Sequence, residues 1–283
     1  MNEIKNRIWL EKVIRTALEE DLGAGDLTTN AIIEHEMNGQ AVLMTRETIV
    51  LAGLPVFSRV FELLDPDVRF DYDFQDGMRV PAGGRICVVA GKLSAILEAE
   101  RTALNFAQRM SGIATLTRQY VDQIGSLKTK IIDTRKTAPG LRLLDKYAVV
   151  MGGGHNHRMG LFDGILIKDN HIAAAGSIKK AVLLAKEKAP HTIKVEVEVE
   201  DLTGLDEAIQ AGADMVLLDN MSADLIQKAV DLAGKRVLLE ASGGIKLENI
   251  QEIAKAGVDL ISVGALTHSA RAVDLSLEVI TIP

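Results

Sequence analysis

Apolar positions along the chain follow two rhythms. Up to about residue 110 they read as mixed α and β. Leu10, Val13, Ile14 and Leu18 recur at three- and four-residue spacing, which predicts a helix over 9–20, and Gly23 and Gly25 follow as stop signals. Extended stretches are expected at 39–52, 68–74 and 85–91, with a helix at 54–64 between the first two. An amphipathic helix is expected over 93–109, with Leu93, Ile96, Leu97, Leu104 and Ala107 along one side, and Ser111-Gly112 punctuates it. The segment GMRVPAGGRICVVAG (77–91) has the Gly/Val spacing of a lipoyl or biotinyl carrier. No lysine stands at an exposed hairpin tip, so it reads as a structural hairpin.

From residue 128 the pattern becomes regular. Short apolar strands are expected at 130–136, 164–170, 192–200, 215–220, 237–244 and 260–266, and helical segments lie at about 141–150, 178–188, 204–211, 222–233 and 247–256. Such alternation means parallel strands joined by right-handed crossovers. The last three strands begin at 215, 237 and 260, the pitch of a βα barrel. A complete eight-unit barrel takes about 250 residues; six strands point to an open sheet or a shortened barrel. The organisation expected is an α/β domain over 1–111 and a βα domain over 112–269. The tail alternates apolar and polar residues over 272–280, and a strand within 270–283 is expected to return to the first domain.

Composition narrows the function. At 283 residues the chain has room for one large domain or two modest ones, with a sizeable core. Its net charge of −7 and its ten aromatic residues argue against a nucleic-acid or anionic-membrane surface. A single cysteine, Cys87, forbids an intramolecular disulfide and suits a reducing cytosol. The start, MNEIKNRIWLEK, scatters charges where a signal peptide needs an apolar stretch, and no apolar run approaches the ~20 residues of a membrane span. The expectation is a soluble cytoplasmic protein acting on small molecules.

In parallel βα folds the reactive groups gather at the carboxyl ends of the strands. Read in turn, those ends are Asp133-Thr134-Arg135-Lys136, Lys168-Asp169-Asn170-His171, Glu196/Glu198/Glu200, Asp219-Asn220, Glu240 with Ser242-Gly243-Gly244, and Val263-Gly264-Ala265 with His268 nearby. Arg135, Lys136, Lys168 and the loop GGGHNHR (152–158) supply cations suited to a compact, multiply anionic ligand. Glu198, Asp219 and Glu240 suit ribose hydroxyls, Mg²⁺ waters or a developing cation. The two glycine turns could hold a phosphate on backbone N–H groups. Other readings stay open: Lys168 as a Schiff-base lysine of a barrel aldolase, the triple glycine as a flexible loop, or the glutamates as a solvated edge. His155 and His157 alone make a poor zinc site.

The motifs TRKTAPGLR (134–142), GGGHNHRMGLFDGILIKDNH (152–171), VEVEVE (195–200), LLDN (217–220), EASGGI (240–245) and SVGAL (262–266) closely resemble the quinolinate phosphoribosyltransferases, the carboxylating nicotinate-nucleotide pyrophosphorylases. The resemblance extends to GDLTT (25–29) and AERTALNFAQRMSGIAT (99–115), nearly the whole chain. It implies an open α/β sandwich beside an incomplete six-stranded βα barrel, and transfer of phosphoribose from 5-phosphoribosyl-1-pyrophosphate to quinolinate with loss of CO₂. It further implies Mg²⁺ as cofactor. Arg135, Lys136, His157, Arg158 and Lys168 would surround quinolinate and Thr134 would also bind substrate, with Lys136, Lys168, Glu198 and Asp219 in catalytic roles. Glu198 and Asp219 would hold the ribose, directly or through Mg²⁺. Ser242, Gly243, Gly244, Val263, Gly264 and Ala265 would cradle the 5-phosphate, with His268 close by. Arg101 would reach the site of a neighbouring subunit, which implies a homodimer or an assembly of dimers. His155 stands where the family accepts other residues. A paralogue of this fold with another acceptor is the nearest rival.

Overall fold

The structure, a computed structural model, describes residues 7–34 and 36–281. The chain forms two compact units, one comprising Met1–Arg118, Thr137–Gly153 and Thr267–Pro283, the other Gln119–Lys136 and Gly154–Leu266.

The first unit begins with α1 (Arg7–Leu22), which buries Leu10, Ile14 and Leu18 as its spacing predicts. Helix α2 (Leu27–Ile32) has no apolar periodicity to announce it. It starts because Asp26 accepts the N–H groups of Thr28 and Thr29 at 2.9 and 3.1 Å, satisfying two donors left orphaned at a helix start. The stretch expected as one strand over 39–52 is two, β1 (Asn38–Thr45) and β2 (Ile49–Val50). Thr45 Oγ1 donates to the Glu47 carbonyl at 2.6 Å and turns the chain between them. Then come α3 (Leu54–Leu64), β3 (Arg69–Tyr72), β4 (Arg79–Val80), β5 (Arg85–Lys92) and α4 (Leu93–Ile124), whose last residues belong to the second unit. Later segments add α5 (Arg142–Met151) and β12 (Leu275–Thr281). The antiparallel sheet runs β12-β1-β5-β3, with Leu43 opposite both Leu277 and Cys87. Phe57 and Phe61, both fully buried and 4.9 Å apart between ring centroids, anchor its core.

Two details differ from the sequence reading. Segment 77–91 is not a self-contained hairpin: β4 pairs with β2, while β5 pairs with β1 and β3. The glycine turn between them hands the chain from one sheet to another. And α4 does not stop at Ser111-Gly112 but runs through it to Ile124. A Cβ at Gly112 would lie 2.0 Å from the Arg271 carbonyl oxygen, so this glycine admits a neighbouring backbone and ends nothing. Of the expected returning strand, residues 282 and 283 lie outside the described residues.

The second unit holds a six-stranded parallel sheet built from β6 (Lys130–Ile132), β7 (Ile165–Ile167), β8 (Val195–Val199), β9 (Met215–Asp219), β10 (Leu238–Ser242) and β11 (Leu260–Ser262). Their order, β6-β11-β10-β9-β8-β7, is that of an incomplete barrel, with β6 and β7 at the free edges. At the β6 edge His155 forms a parallel bridge with Ile132, its N–H donating to the Ile131 carbonyl at 2.8 Å. The crossovers include α6 (Asp169–Ala175), α7 (Ile178–Lys188), α8 (Leu202–Gln210), α9 (Ala223–Ala233) and α10 (Ile250–Lys255). Three of these helices start on a side-chain cap: Ser177 takes the Lys180 N–H at 3.1 Å, Asp201 that of Gly204 at 2.7 Å and Ser222 that of Leu225 at 3.3 Å. Among the described residues no helix is long and apolar enough to cross a membrane.

Candidate active site

The carboxyl ends of the parallel strands open into a cavity of about 510 Å³ within the second unit. Thr134, Arg135 and Lys136 enter it after β6, and His157 and Arg158 come from the following loop. β7 contributes Leu166 and Lys168, β8 Glu198, and β9 Leu217, Asp219 and Asn220. Glu240, Ser242, Gly243 and Gly244 enter from β10, and Ser262 from β11.

Buried contacts fix the cationic wall. Asp133, fully buried, accepts Asn156 Nδ2 at 2.6 Å and the His157 N–H at 2.8 Å, tying the end of β6 to the histidine loop. Thr134 Oγ1 accepts the Lys136 N–H at 3.0 Å and shapes the basic turn. Arg158 donates from Nη1 to the Gly164 carbonyl at 2.8 Å. Burial and then the neighbouring Arg135 charge draw its proton affinity down, against the opposing pull of Glu196 and Asp163, which marks a place where cations converge. The Lys168 N–H donates to His171 Nδ1 at 2.9 Å at the start of α6, and Lys168 Nζ pairs with Glu198 Oε2 across the site.

The acidic wall follows from strand alternation. In β8 the three valines are buried on one face, while Glu196 and Glu198 take the inward positions. Glu200 lies past the strand end and is exposed, so the expected row of three glutamates is a pair. Asp219 Oδ2 accepts Asn220 Nδ2 at 2.8 Å, and Asn220 sits in the left-handed region at φ 54° with its N–H on the Ser242 carbonyl at 2.9 Å. Below lies the glycine loop, with φ 85° at Gly243 and 63° at Gly244. A Cβ at Gly243 would stand 2.2 Å from Asn220 Oδ1, so the two strand ends fit only with glycine there.

Deepest in the site, His157 Nε2 lies 3.2 Å from Glu196 Oε2 and 3.7 Å from Glu240 Oε2. Burial first, then the Glu196 charge, pushes the Glu240 carboxyl well above the usual carboxylate range. One oxygen of Glu196 and both of Glu240 accept no hydrogen bond.

Five expected site residues do not line the cavity. Val263 is buried, with its N–H on the Ile132 carbonyl at 3.0 Å, and Gly264 and Ala265 follow it at the end of β11. His268 is exposed, belongs to the first unit, and its Nδ1 lies 2.6 Å from Ser269 Oγ. Arg101 also belongs to the first unit, on α4, with its side chain 60% exposed and Glu100 beside it at 4.0 Å. Conversely, Asn220 and Ser262 escaped the sequence reading as site residues. The signal for Asn220 was its type: asparagine after a strand-end aspartate tolerates a left-handed backbone and orients its neighbour. A separate cavity of about 380 Å³ in the first unit has a structural explanation, since its buried Asp65 is taken up by the N–H groups of Asp67 and Lys92 at 3.1 and 3.0 Å.

Convergent cations, facing carboxylates and a glycine loop at the ends of parallel strands define an enzyme site for anionic small molecules, and comparison with known proteins narrows this to a pentosyltransferase. Residues 26–111 match the family model "Quinolinate phosphoribosyl transferase, N-terminal domain" and residues 113–278 the corresponding C-terminal domain. The chain therefore belongs to the quinolinate phosphoribosyltransferase family. A curated relative from Bacillus subtilis, a probable carboxylating nicotinate-nucleotide pyrophosphorylase, is 43% identical over 97% of this chain and 94% of its own length. The structure of NadC from Streptococcus pyogenes superposes with a TM-score of 0.93 at 44% identity, covering 96% of this chain and 97% of that one. The nicotinate-nucleotide pyrophosphorylase of Francisella tularensis gives 0.92 at 46% identity, covering 96% of each chain.

Proposed function

We propose that this chain transfers phosphoribose from 5-phosphoribosyl-1-pyrophosphate to quinolinate and releases CO₂, making nicotinate mononucleotide and pyrophosphate for NAD biosynthesis. The observation that carries the reading is the division of one cavity into a wall bearing Arg135, Lys136, Arg158 and Lys168 and a wall bearing Glu198 and Asp219, over the Ser242-Gly243-Gly244 loop. Quinolinate, a pyridine with two adjacent carboxylates, fits the first wall. The ribose hydroxyls fit the second, and the 5-phosphate fits the loop.

The pyridine nitrogen attacks the anomeric carbon while pyrophosphate departs, and positive charge develops on the ribose. Glu198 and Asp219 face that charge and stabilise it. The pyridinium then accepts the electron pair left when the adjacent carboxylate departs as CO₂, and the ring carbon takes a proton. Lys136 and Lys168 hold the acid so that nitrogen and anomeric carbon meet, and no covalent enzyme intermediate is required. Glu198 and Asp219 also offer the hard oxygen donors that Mg²⁺ prefers and would be the residues to hold it. The chemistry such an ion would supply there is charge neutralisation of the pyrophosphate leaving group.

The same reading makes the working enzyme a homodimer or an assembly of dimers in the cytoplasm, in which Arg101 is presented to the neighbouring copy; its exposure on α4 supports this. Val263, Gly264 and Ala265, which follow β11, then support the 5-phosphate site without lining the cavity. The test is to incubate the protein with quinolinate, phosphoribosyl pyrophosphate and Mg²⁺ and to measure nicotinate mononucleotide and CO₂. Turnover with nicotinate but not quinolinate would defeat the reading. So would borohydride trapping of Lys168 on a carbonyl substrate, an outcome its ion pair with Glu198 argues against.

A further inference from the structure

In a closed βα barrel the inward positions of alternate strands carry branched apolar side chains that fill the interior. Here two of those positions, Glu196 on β8 and Glu240 on β10, carry carboxylates that are 4% and 0% exposed. Glu196 Oε1 and both Glu240 oxygens have no partner at good hydrogen-bond geometry, Ser262 and the opposing glutamate being the polar groups that lie against Glu240, and burying two facing carboxylates this way is costly as packing alone. Both carboxylates close on the same atom, His157 Nε2. The other ring nitrogen, Nδ1, accepts the Arg158 backbone N–H at 2.7 Å, so a neutral ring carries its proton on Nε2 and donates it to Glu196. The His157 backbone N–H is held in turn by Asp133 at 2.8 Å. The imidazole is thus fixed from both nitrogens and from its own backbone, and what it fixes is the start of Arg158.

We propose that Glu196 and Glu240 are positioning residues for the acid-binding wall: they seat the His157 imidazole and, through its Nδ1, the backbone of Arg158. His157 is then a strut behind the guanidinium rather than a charge offered to substrate, which refines the role the resemblance implies for it. The raised proton affinity of Glu240 is consistent with this, because a carboxyl that gives up its proton less readily repels a dianion in the same cavity less. The inference rests on quinolinate being the acceptor, and its tests separate the two claims.

The first test uses Glu240→Leu, Glu196→Leu and the corresponding Gln variants in the full chain. Losing a hydrogen bond to a charged partner shifts binding by about tenfold or more, so Glu196→Leu, which removes the 3.2 Å bond to Nε2, should raise the quinolinate KM by at least about tenfold; Glu240→Leu, which removes a 3.7 Å contact, should raise it by less, and both should leave the phosphoribosyl pyrophosphate KM within about twofold. The Gln variants, which keep shape and a polar end, should recover most of the loss. Leu variants with wild-type quinolinate KM, or with both KM values raised alike, would overturn the proposal. The second test needs no variant of the pair. Nitrogen-15 NMR of histidine-labelled protein, with His157 assigned through His157→Asn, should show Nε2 protonated and Nδ1 bare. The reverse tautomer would overturn the proposal, as would a stoichiometric transition metal found by elemental analysis, since the three side chains would then be ligands. An absence of nicotinate mononucleotide from wild-type protein would instead sink the proposed acceptor, and the tautomer would still judge the strut.

Discussion

Gly243→Ala puts a methyl group where two strand ends meet. The backbone there has φ 85°, a region that costs an L-residue roughly 1–2 kcal/mol. The new Cβ would also stand 2.2 Å from Asn220 Oδ1 and 2.9 Å from the Asn220 backbone nitrogen, so part of what must move is main chain. Overpacking of that kind adds about 1–3 kcal/mol. The neighbouring Gly244→Ala supplies the control: φ is 63°, yet nothing lies within 4 Å of its Cβ, so only the conformational cost applies. Guanidinium unfolding of the three proteins should therefore order them wild type, Gly244→Ala, Gly243→Ala in falling stability. Because Asn220 orients Asp219, the Gly243→Ala enzyme should also show a raised KM for phosphoribosyl pyrophosphate, more than Gly244→Ala does. Equal stabilities for the two alanine variants would refute the argument that Asn220 and Gly243 interlock.

Other outcomes follow from the same geometry. Arg135→Ala and Lys168→Ala should each abolish measurable quinolinate binding by calorimetry, and wild-type affinity in either would count against the cationic wall. Asp133→Ala removes the buried carboxylate that takes the Asn156 amide and the His157 N–H, at about 1–3 kcal/mol by unfolding, and should lower turnover with it. Glu240 has its folded pKa raised, so it binds its proton more tightly in the native state. Its contribution to stability is full below the ordinary carboxylate range and is lost as pH rises through the folded pKa. Glu240→Gln should flatten that decline, which unfolding measured across a pH series will show. Mixing an inactive Lys168→Ala chain with an inactive Arg101→Ala chain should restore part of the activity if each site borrows an arginine from its neighbour; no recovery in verified mixed dimers would remove Arg101 from the site.

The parallel unit was legible because burial writes itself into a strand as an uninterrupted apolar run, and because β9, β10 and β11 repeat at even pitch. The sequence also separated the cationic strand ends from the acidic ones. Where reading failed, non-local contacts decided. Gly112 looks like a helix stop until Arg271 is seen against it, 159 positions along the chain. The 77–91 segment looks like a hairpin until β4 is found on β2. Alternation placed Glu196 and Glu198 on one face, but the length of β8 decided that Glu200 is left outside. His157 reads as a binding cation in the sequence. Only the positions of Glu196 and Glu240, distant along the chain, show that its ring faces inward.

The strand β12 has a consequence for how the molecule is made. Residues 275–281 pair along β1, with Thr45 opposite Leu275 and Gln40 opposite Thr281. Until they emerge, β1 is an open edge with unpaired backbone groups, the kind of surface that recruits stray strands. On a ribosome the first unit is thus begun early and completed last, while the second unit lies between its opening segment and its final strand. Truncating the end of the chain should harm the part synthesised first, and chaperone dependence should be highest before translation ends.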